Sequence, residues 1–176
     1  MSNFERFTDV EKQLLASTPI LIGSAMAFAE SSGLATVKEI FASAKTYAGG
    51  LNAYPENEII QGILHNLGDR EKAMAQAKAL RQDTIARLKE KGIDSPEKIR
   101  ELLMADTREI TDILAEKASS EEAAEYKDWA MELAENVAKA AKEGGFLGFG
   151  GERVSAGEKA LFAELATVLD SDTQLT

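Results

Sequence analysis

The amino-acid sequence predicts an all-α protein: a single-domain bundle of seven to eight helices with no sheet. The composition is the first observation, because alanine is abundant, valine is scarce and the 176 residues include three prolines, which favours helices over strands. The second is that helix-capping residues and glycines recur at spacings that suit helices of ordinary length. The third is that no stretch alternates apolar and polar residues in the way that a half-buried strand does.

Two helices are expected at the N-terminus. Thr8 and Glu11 form a T-x-x-E capping box, which predicts a short helix directly after Thr8. Thr18 precedes a proline, and this pair matches an N-cap followed by proline at the first helical position. A second helix is therefore expected from Pro19 to Ser31.

Two further helices precede the middle of the chain. The first fits residues 34–48, and the pair Gly49-Gly50 is expected to end it. In the next segment, isoleucine and leucine repeat at helical spacing from Ile59 to Leu67, and Gly68 has the position of a C-terminal glycine. The sequence therefore predicts a helix that is strongly apolar on one face.

Three consecutive helices of about 23 residues are expected next, over 70–91, from Pro96 to Lys117 and from Ser119 to Glu143. Asp69 can cap the first, proline opens the second, and Ser119 with Glu122 forms a capping box for the third. The short connectors between them imply antiparallel neighbours. These three long antiparallel helices are expected to be the frame of the bundle.

The C-terminal region combines a glycine-rich stretch with a last helix. Ser155 and Glu158 form an S-x-x-E capping box for a helix from Ala156 to Leu169. Residues 170–176 are expected to be a flexible C-terminal tail. The single helical domain is therefore placed at residues 1–169.

The charge balance and the absence of cysteine argue against several functions. The formal net charge is −10, from 20 basic and 30 acidic side chains, so the surface is expected to repel nucleic acid and anionic lipid. Without cysteine, the chain has no disulfide, thiol nucleophile, zinc knuckle or iron–sulfur ligand. The N-terminus lacks a signal-peptide pattern, and the apolar stretch from Leu14 to Ala29 is too short and too interrupted to span a bilayer. We expect a cytoplasmic protein that binds neither nucleic acid nor membrane.

The only histidine and one aspartate are candidate site residues within helices. His65 lies beside the apolar stripe of its helix and is either a partly packed boundary residue or a general base or metal ligand. A single histidine argues against a di-iron bundle centre and against histidine-based zinc sites. Asp106 falls on an apolar stripe, where a carboxylate must be paired, hydrogen-bonded or protonated. It is either bound by a Lys, Arg or Thr of a neighbouring helix or is a site residue with a shifted pKa.

The stretch "GGFLGFGGERVSAGEK", residues 144–159, is the other candidate. It lacks the lysine and the preceding strand of a phosphate-binding P-loop. Its glycines suit a helix C-cap, after which Phe146, Leu147 and Phe149 either pack into the core or face a protein partner. Arg153, beside the start of the last helix, leaves open a small-ligand or phosphate site.

Both ends of the chain resemble a family of small bacterial all-helical proteins of unassigned function. The resemblance rests on the C-terminal "GGFLGFGGERVSAGEKALFAELATVL", with the pattern GFLGFGGxRVSxxE, and on the N-terminal "FTDVEKQLLASTPILIGSAMAFA". It does not extend to the middle of the chain and implies no particular activity. By size and helix count alone, the chain is also similar to the helical tellurite-resistance TerB-like proteins.

Together these observations favour an acidic, cytoplasmic helical protein that acts through protein–protein contacts, with a protein partner or as a homo-oligomer, and without enzymatic activity. The alternative is a small-ligand-binding or metal-binding stress-type protein that uses Asp106, Arg153 or the glycine-rich stretch. An enzyme with a site around His65 and Asp106 is a third hypothesis. No catalytic residue, metal ligand or cofactor is assigned from the sequence.

Overall fold

The computed structural model of the protein describes residues 3–29, 37–142, 154–173 and 175. Within these ranges the chain forms seven α-helices and no strand, so the all-α fold class is confirmed. After a short 3-10 helix at Asn3–Arg6, the helices are α1 (Asp9–Phe28), α2 (Val37–Ala53), α3 (Glu58–Leu64), α4 (Arg70–Glu90), α5 (Pro96–Lys117), α6 (Ser120–Lys142) and α7 (Ala156–Leu169).

The capping residues predicted from the sequence begin most of these helices. Thr8 accepts a hydrogen bond from the backbone N–H of Glu11, and the Glu11 carboxylate accepts one from the N–H of Thr8, which completes the capping box of α1. The other predicted caps that form are Asp69 for α4, Ser119 with Glu122 for α6, and Ser155 with Glu158 for α7. For α5, Pro96 is at the predicted first position and Ser95 is the N-cap. Local sequence therefore sets where these helices begin.

Two hydrophobic clusters form the core, and α1 runs through both. The first cluster joins the C-terminal half of α1 to α5, α6 and α7, and Leu175, in the predicted tail, packs against it. The second joins the N-terminal half of α1 to α3 and to the opposite ends of α5 and α6. Leu15 and Ile22 of α1 are completely buried, one in each cluster. The central helix of the bundle is therefore α1.

The prediction of separate helices before and after Thr18 is wrong, because α1 continues without a break through Pro19. Proline has no N–H, so the carbonyl four residues earlier, at Leu15, loses its helical donor. Tyr126 on α6 supplies a replacement, since its hydroxyl donates to this carbonyl at 2.7 Å. The helix persists because a tertiary contact satisfies the group that the proline leaves unpaired.

Helix α2 also continues beyond its predicted end, through Gly49 and Gly50 to Ala53. Gly50 is buried against Trp129 of α6, and a β-carbon at residue 50 would lie 2.6 Å from the indole Nε1. Gly50 therefore allows close packing of two helices instead of ending one. The sequence alone could not distinguish these two uses of glycine.

Helix α4 is the least embedded of the long helices. None of its side chains that the structure describes is buried, whereas α5 alone has eight buried residues. Its main helix neighbour is α1, and Leu80 is its half-buried contact with the second core cluster. The expectation that α4 forms a frame with α5 and α6 is therefore not confirmed.

Part of the stability is expected to depend on pH through an ion pair between α1 and α5. The ammonium of Lys117 lies 2.6 Å from Oε1 and 2.8 Å from Oε2 of Glu11. This hydrogen bond, with a second from the N–H of Thr8, holds the pKa of Glu11 below its usual value of 4.5. Because the folded-state pKa is lowered, the contribution is fully present above the unfolded-state pKa and is lost as pH falls through the folded-state pKa.

Replacing Glu11 by glutamine tests this. Glutamine can still complete the capping box, but it cannot form the ion pair with Lys117. We expect Glu11→Gln to be less stable than the wild type at neutral pH, with the difference shrinking as pH falls below 4.5. Urea unfolding at a series of pH values measures this difference. A difference that stays constant down to strongly acidic pH would contradict the assignment.

Candidate functional site

Asp106 is paired with an arginine of a neighbouring helix. The carboxylate is 2% exposed, and Arg87 of α4 binds it with both terminal nitrogens, Nη1 to Oδ2 at 2.6 Å and Nη2 to Oδ1 at 2.5 Å. The hydrogen bonds to Asp106 raise the pKa of Arg87 above its usual value, so the guanidinium stays charged. For the interpretation in which a residue of a neighbouring helix binds Asp106, the structure thus provides the partner, Arg87. A role of Asp106 in ligand binding stays a prediction.

The other sequence candidates are not assembled into one site. His65 is exposed at the C-terminal end of α3, where its Nδ1 lies 2.6 Å from the carbonyl oxygen of Gly62. The side chain that engages Asp106 is Arg87 and not this histidine. Phe146, Phe149 and Arg153 lie outside the described residues. Within the described ranges, no group of three or more His, Asp or Glu side chains is placed to hold a metal ion.

Among the residues that the structure describes, α1, α2, α3 and α4 surround a cavity of about 970 Å³ that could receive a ligand. The sequence did not predict it. Its lining is mostly aliphatic, and none of the described residues that form it carries a charge. The lining residues are Ile20, Gly23, Ser24 and Ala27 of α1, Ser43, Ala44, Tyr47 and Ala48 of α2, Ile63, Leu64 and Leu67 in and after α3, and Ala73, Gln76, Ala77, Leu80 and Ile85 of α4. We call this space the α4 cavity.

The α4 cavity exists because short side chains face it from two opposite walls. Helix α4 presents Ala73 and Ala77, and α2 presents Ala44 and Ala48, so these helices do not fill the space between them. A helix whose inward face carried leucine at these positions would close the gap. The absence of any buried α4 side chain among those described has the same cause.

Three of the four polar side chains in the lining, those of Ser24, Tyr47 and Gln76, donate hydrogen bonds to backbone carbonyls. The hydroxyl of Tyr47 donates to the carbonyl of Ala16 at 3.1 Å, and Nε2 of Gln76 donates to the carbonyl of Ile63 at 2.8 Å. Burial raises the pKa of Tyr47, so its phenol stays neutral. The lining therefore offers contact area and no charge to a bound molecule.

The cavity is open to solvent, and exposed residues of its lining lie on α1, α2 and α4. Ile20 and Ile85 line it and are nevertheless 39% and 42% exposed. Large aliphatic side chains at such an opening suit the entry of an apolar molecule, because covering apolar surface on both sides removes it from water, which is favourable. The sequence signal for this site was a polar helix with the small residue alanine at two positions of its inner stripe, Ala73 and Ala77. That signal is weak, because alanine is also the commonest filler of exposed helices.

Comparisons with protein-family models, with curated proteins and with solved structures give no significant match. The resemblance of the two chain ends to a bacterial helical family therefore stays a prediction. Among the helices within the described ranges, none combines the length and the apolarity needed to cross a bilayer. The α4 cavity and the contacts around it are thus the features from which a function can be inferred.

Proposed function

We propose that this protein is a binding protein that takes an uncharged, apolar small molecule in the α4 cavity. The observation that carries the proposal is a space of about 970 Å³, walled by four helices and lined by described residues none of which is charged. Ligand sites for small molecules have volumes of roughly 300 to 1,000 Å³ and are lined mainly by apolar groups. The proposal is the ligand-binding alternative from the sequence, with the site moved from Asp106 and Arg153 to the cavity.

The lining decides the chemical class of the ligand. A carboxylate or ammonium inside the cavity would lose its hydration without gaining an ion partner, which is strongly unfavourable. A neutral aliphatic or aromatic molecule would exchange water for the aliphatic wall, which is favourable in proportion to the apolar area covered. We therefore expect the ligand to be neutral over the part that the cavity encloses.

Filling the cavity from α4 is expected to remove binding. In Ala73→Phe, the new ring would occupy the space that the ligand needs, because Ala73 lines the cavity. We expect the affinity for Nile red, an uncharged apolar fluorophore, to fall at least about tenfold. Fluorescence titration measures this, and the thermal shift that bound ligand produces should disappear with it.

Ala75→Phe is the matched control, since Ala75 is an exposed residue of the same helix outside the lining. Ala75→Phe lowers the helix propensity of α4 by the same amount as Ala73→Phe does. It should nevertheless bind Nile red with the affinity of the wild type. Competition by dodecanol and by dodecanoate separates neutral from charged ligands, and dodecanol should displace the dye more strongly. Equal affinity of Ala73→Phe and Ala75→Phe for Nile red, or displacement of the dye by dodecanoate as strong as by dodecanol, would contradict the proposal.

Protein–protein contact, with a partner or as a homo-oligomer, stays a separate hypothesis. Val10 and Met74 are 72% and 64% exposed, but single exposed apolar residues are normal on protein surfaces. Native mass spectrometry of protein purified gently from its host would detect both a retained partner and a retained small molecule. A retained neutral ligand with no second chain would favour the cavity.

A further inference from the structure

The attachment of α4 to the rest of the molecule is unusually sparse for a helix of 21 residues. Its described side chains are all partly or fully exposed, so little apolar area holds it in place. Elements with few buried contacts open locally at a lower free energy than the core does. Of the four helices that line the cavity, α4 is thus the one whose displacement is expected to cost the least free energy.

The two ends of α4 allow it to move without unravelling. At the start, Asp69 accepts hydrogen bonds from the N–H groups of Glu71 and Lys72. At the end, the N–H groups of Gly92 and Ile93 bond back to the carbonyls of Lys89 and Leu88. These bonds lie within the helix and its own caps, so they survive a rigid-body movement.

Glycines flank the helix in exposed turns. Gly92 has a φ of +64°, a conformation that glycine adopts without strain, and nothing lies within 4 Å of where a β-carbon would be. Gly68, before the N-cap, is equally open. Hinges are typically a few residues at element ends that absorb backbone rotation, and these two positions have the required freedom.

Among the described residues, two polar contacts oppose this movement. The first is the hydrogen bond from Nε2 of Gln76 to the carbonyl of Ile63 at 2.8 Å, which joins α4 to α3, and the second is an ion pair. The bidentate pair of Arg87 with Asp106 joins the last turns of α4 to α5, and Asp106 is buried while α4 is in place. Without Arg87, the closed position would hold a buried carboxylate without its ion partner, whereas displacement of α4 would let water reach it. The pair therefore favours the closed position specifically.

We infer that α4 is a lid of the α4 cavity, hinged at Gly68 and Gly92 and held closed by the Arg87–Asp106 pair. This inference rests on the proposed ligand-binding function, since the lid regulates access to the same site. Movement of α4 widens the opening of the cavity, through which the ligand enters. Asp106 thereby acquires a role in gating and not in contact with the ligand.

Native-state hydrogen exchange tests the lid without any ligand. We expect α4 amides in the wild type to exchange through a local opening that depends little on denaturant, while core amides of α5 and α6 exchange through global unfolding. In Arg87→Ala, α4 amides should exchange at least about tenfold faster, still with little denaturant dependence. Exchange of α4 only together with α5 and α6 would overturn the inference.

Arg100→Ala is the matched control. Arg100 also forms an ion pair between helices, but its partner is Glu164 of α7, at 2.6 Å, and not a residue of α4. This variant should leave local exchange of α4 unchanged. A similar acceleration in both arginine variants would show that general destabilisation, and not release of the lid, explains the effect.

The binding rate of Nile red separates the lid from the function on which it rests. If the lid controls entry, the association rate constant should be at least about tenfold larger in Arg87→Ala than in Arg100→Ala. If α4 opens locally but no variant binds the dye, the ligand-binding function is refuted, whereas the local opening controlled by Arg87 is retained. Dye binding with identical rates in both variants would refute the lid and leave the function standing.

Discussion

Replacing Gly50 by alanine is expected to destabilise the protein by about 1 to 3 kcal/mol, although alanine normally stabilises a helix interior relative to glycine. The new β-carbon would lie 2.6 Å from Nε1 and 3.0 Å from Cε2 of Trp129. The indole is completely buried and has ring contacts with Tyr47 at 5.1 Å and with Tyr126 at 5.8 Å. It cannot shift without disturbing both neighbours, so the overpacking is not relieved.

Gly49→Ala is the control that the chain itself provides. Gly49 is the preceding residue of the same helix and is exposed, and a β-carbon at this position would have nothing within 4 Å of it. Here only the helix propensity changes, so a gain of about 0.5 to 1 kcal/mol is expected. Denaturant unfolding of the two variants gives both free energies. Changes of the same sign would mean that Gly50 is not a packing glycine.

Removing the hydroxyl of Tyr126 is expected to cost about 1 to 3 kcal/mol, because Tyr126→Phe leaves a buried carbonyl without a donor. Leu15 is completely buried, and its carbonyl accepts from Tyr126 at 2.7 Å. The helical N–H that would otherwise bond this carbonyl is missing, since residue 19 is proline. Chemical unfolding monitored by circular dichroism measures the loss.

A double-mutant cycle with Pro19→Ala isolates the cause. Alanine at residue 19 restores an N–H four residues after Leu15, so Tyr126→Phe should cost less in this background. Tyr47→Phe should cost less free energy than Tyr126→Phe. Tyr47 donates to the carbonyl of Ala16, and this carbonyl can also accept the helical hydrogen bond from the N–H of Ile20. An equal cost of Tyr126→Phe with and without Pro19 would show that the proline is not the reason for the contact.

Helix starts were predictable from the sequence because each depends on a side chain within three residues of the bond it makes. The boxes at Thr8, Ser119 and Ser155 are local in this sense. The breaks expected at Pro19 and Gly49-Gly50 were wrong for the opposite reason. Each depends on an aromatic residue of α6 that is distant in sequence, and no local pattern reveals that partner.

The candidate site was predictable only in part. The position of Asp106 on an apolar stripe indicated a carboxylate that is paired, hydrogen-bonded or protonated, and in the structure Arg87 pairs with it. The α4 cavity could not be predicted, because it arises where packing is incomplete. The spacing of Ala73, Ala77 and Leu80 places them on one side of α4, but it does not indicate how far the helix stands from its neighbours.

The position of Trp129 has a practical consequence for optical spectroscopy. It is the only tryptophan of the chain, and its indole contacts Tyr47, which is also part of the cavity wall. The protein therefore has a single indole fluorophore, in ring contact with an aromatic residue of the cavity wall. We expect its emission to change when a ligand enters the cavity, so no attached label is needed. Because the chain has no cysteine, a single cysteine can be introduced at any chosen position to attach a second fluorophore.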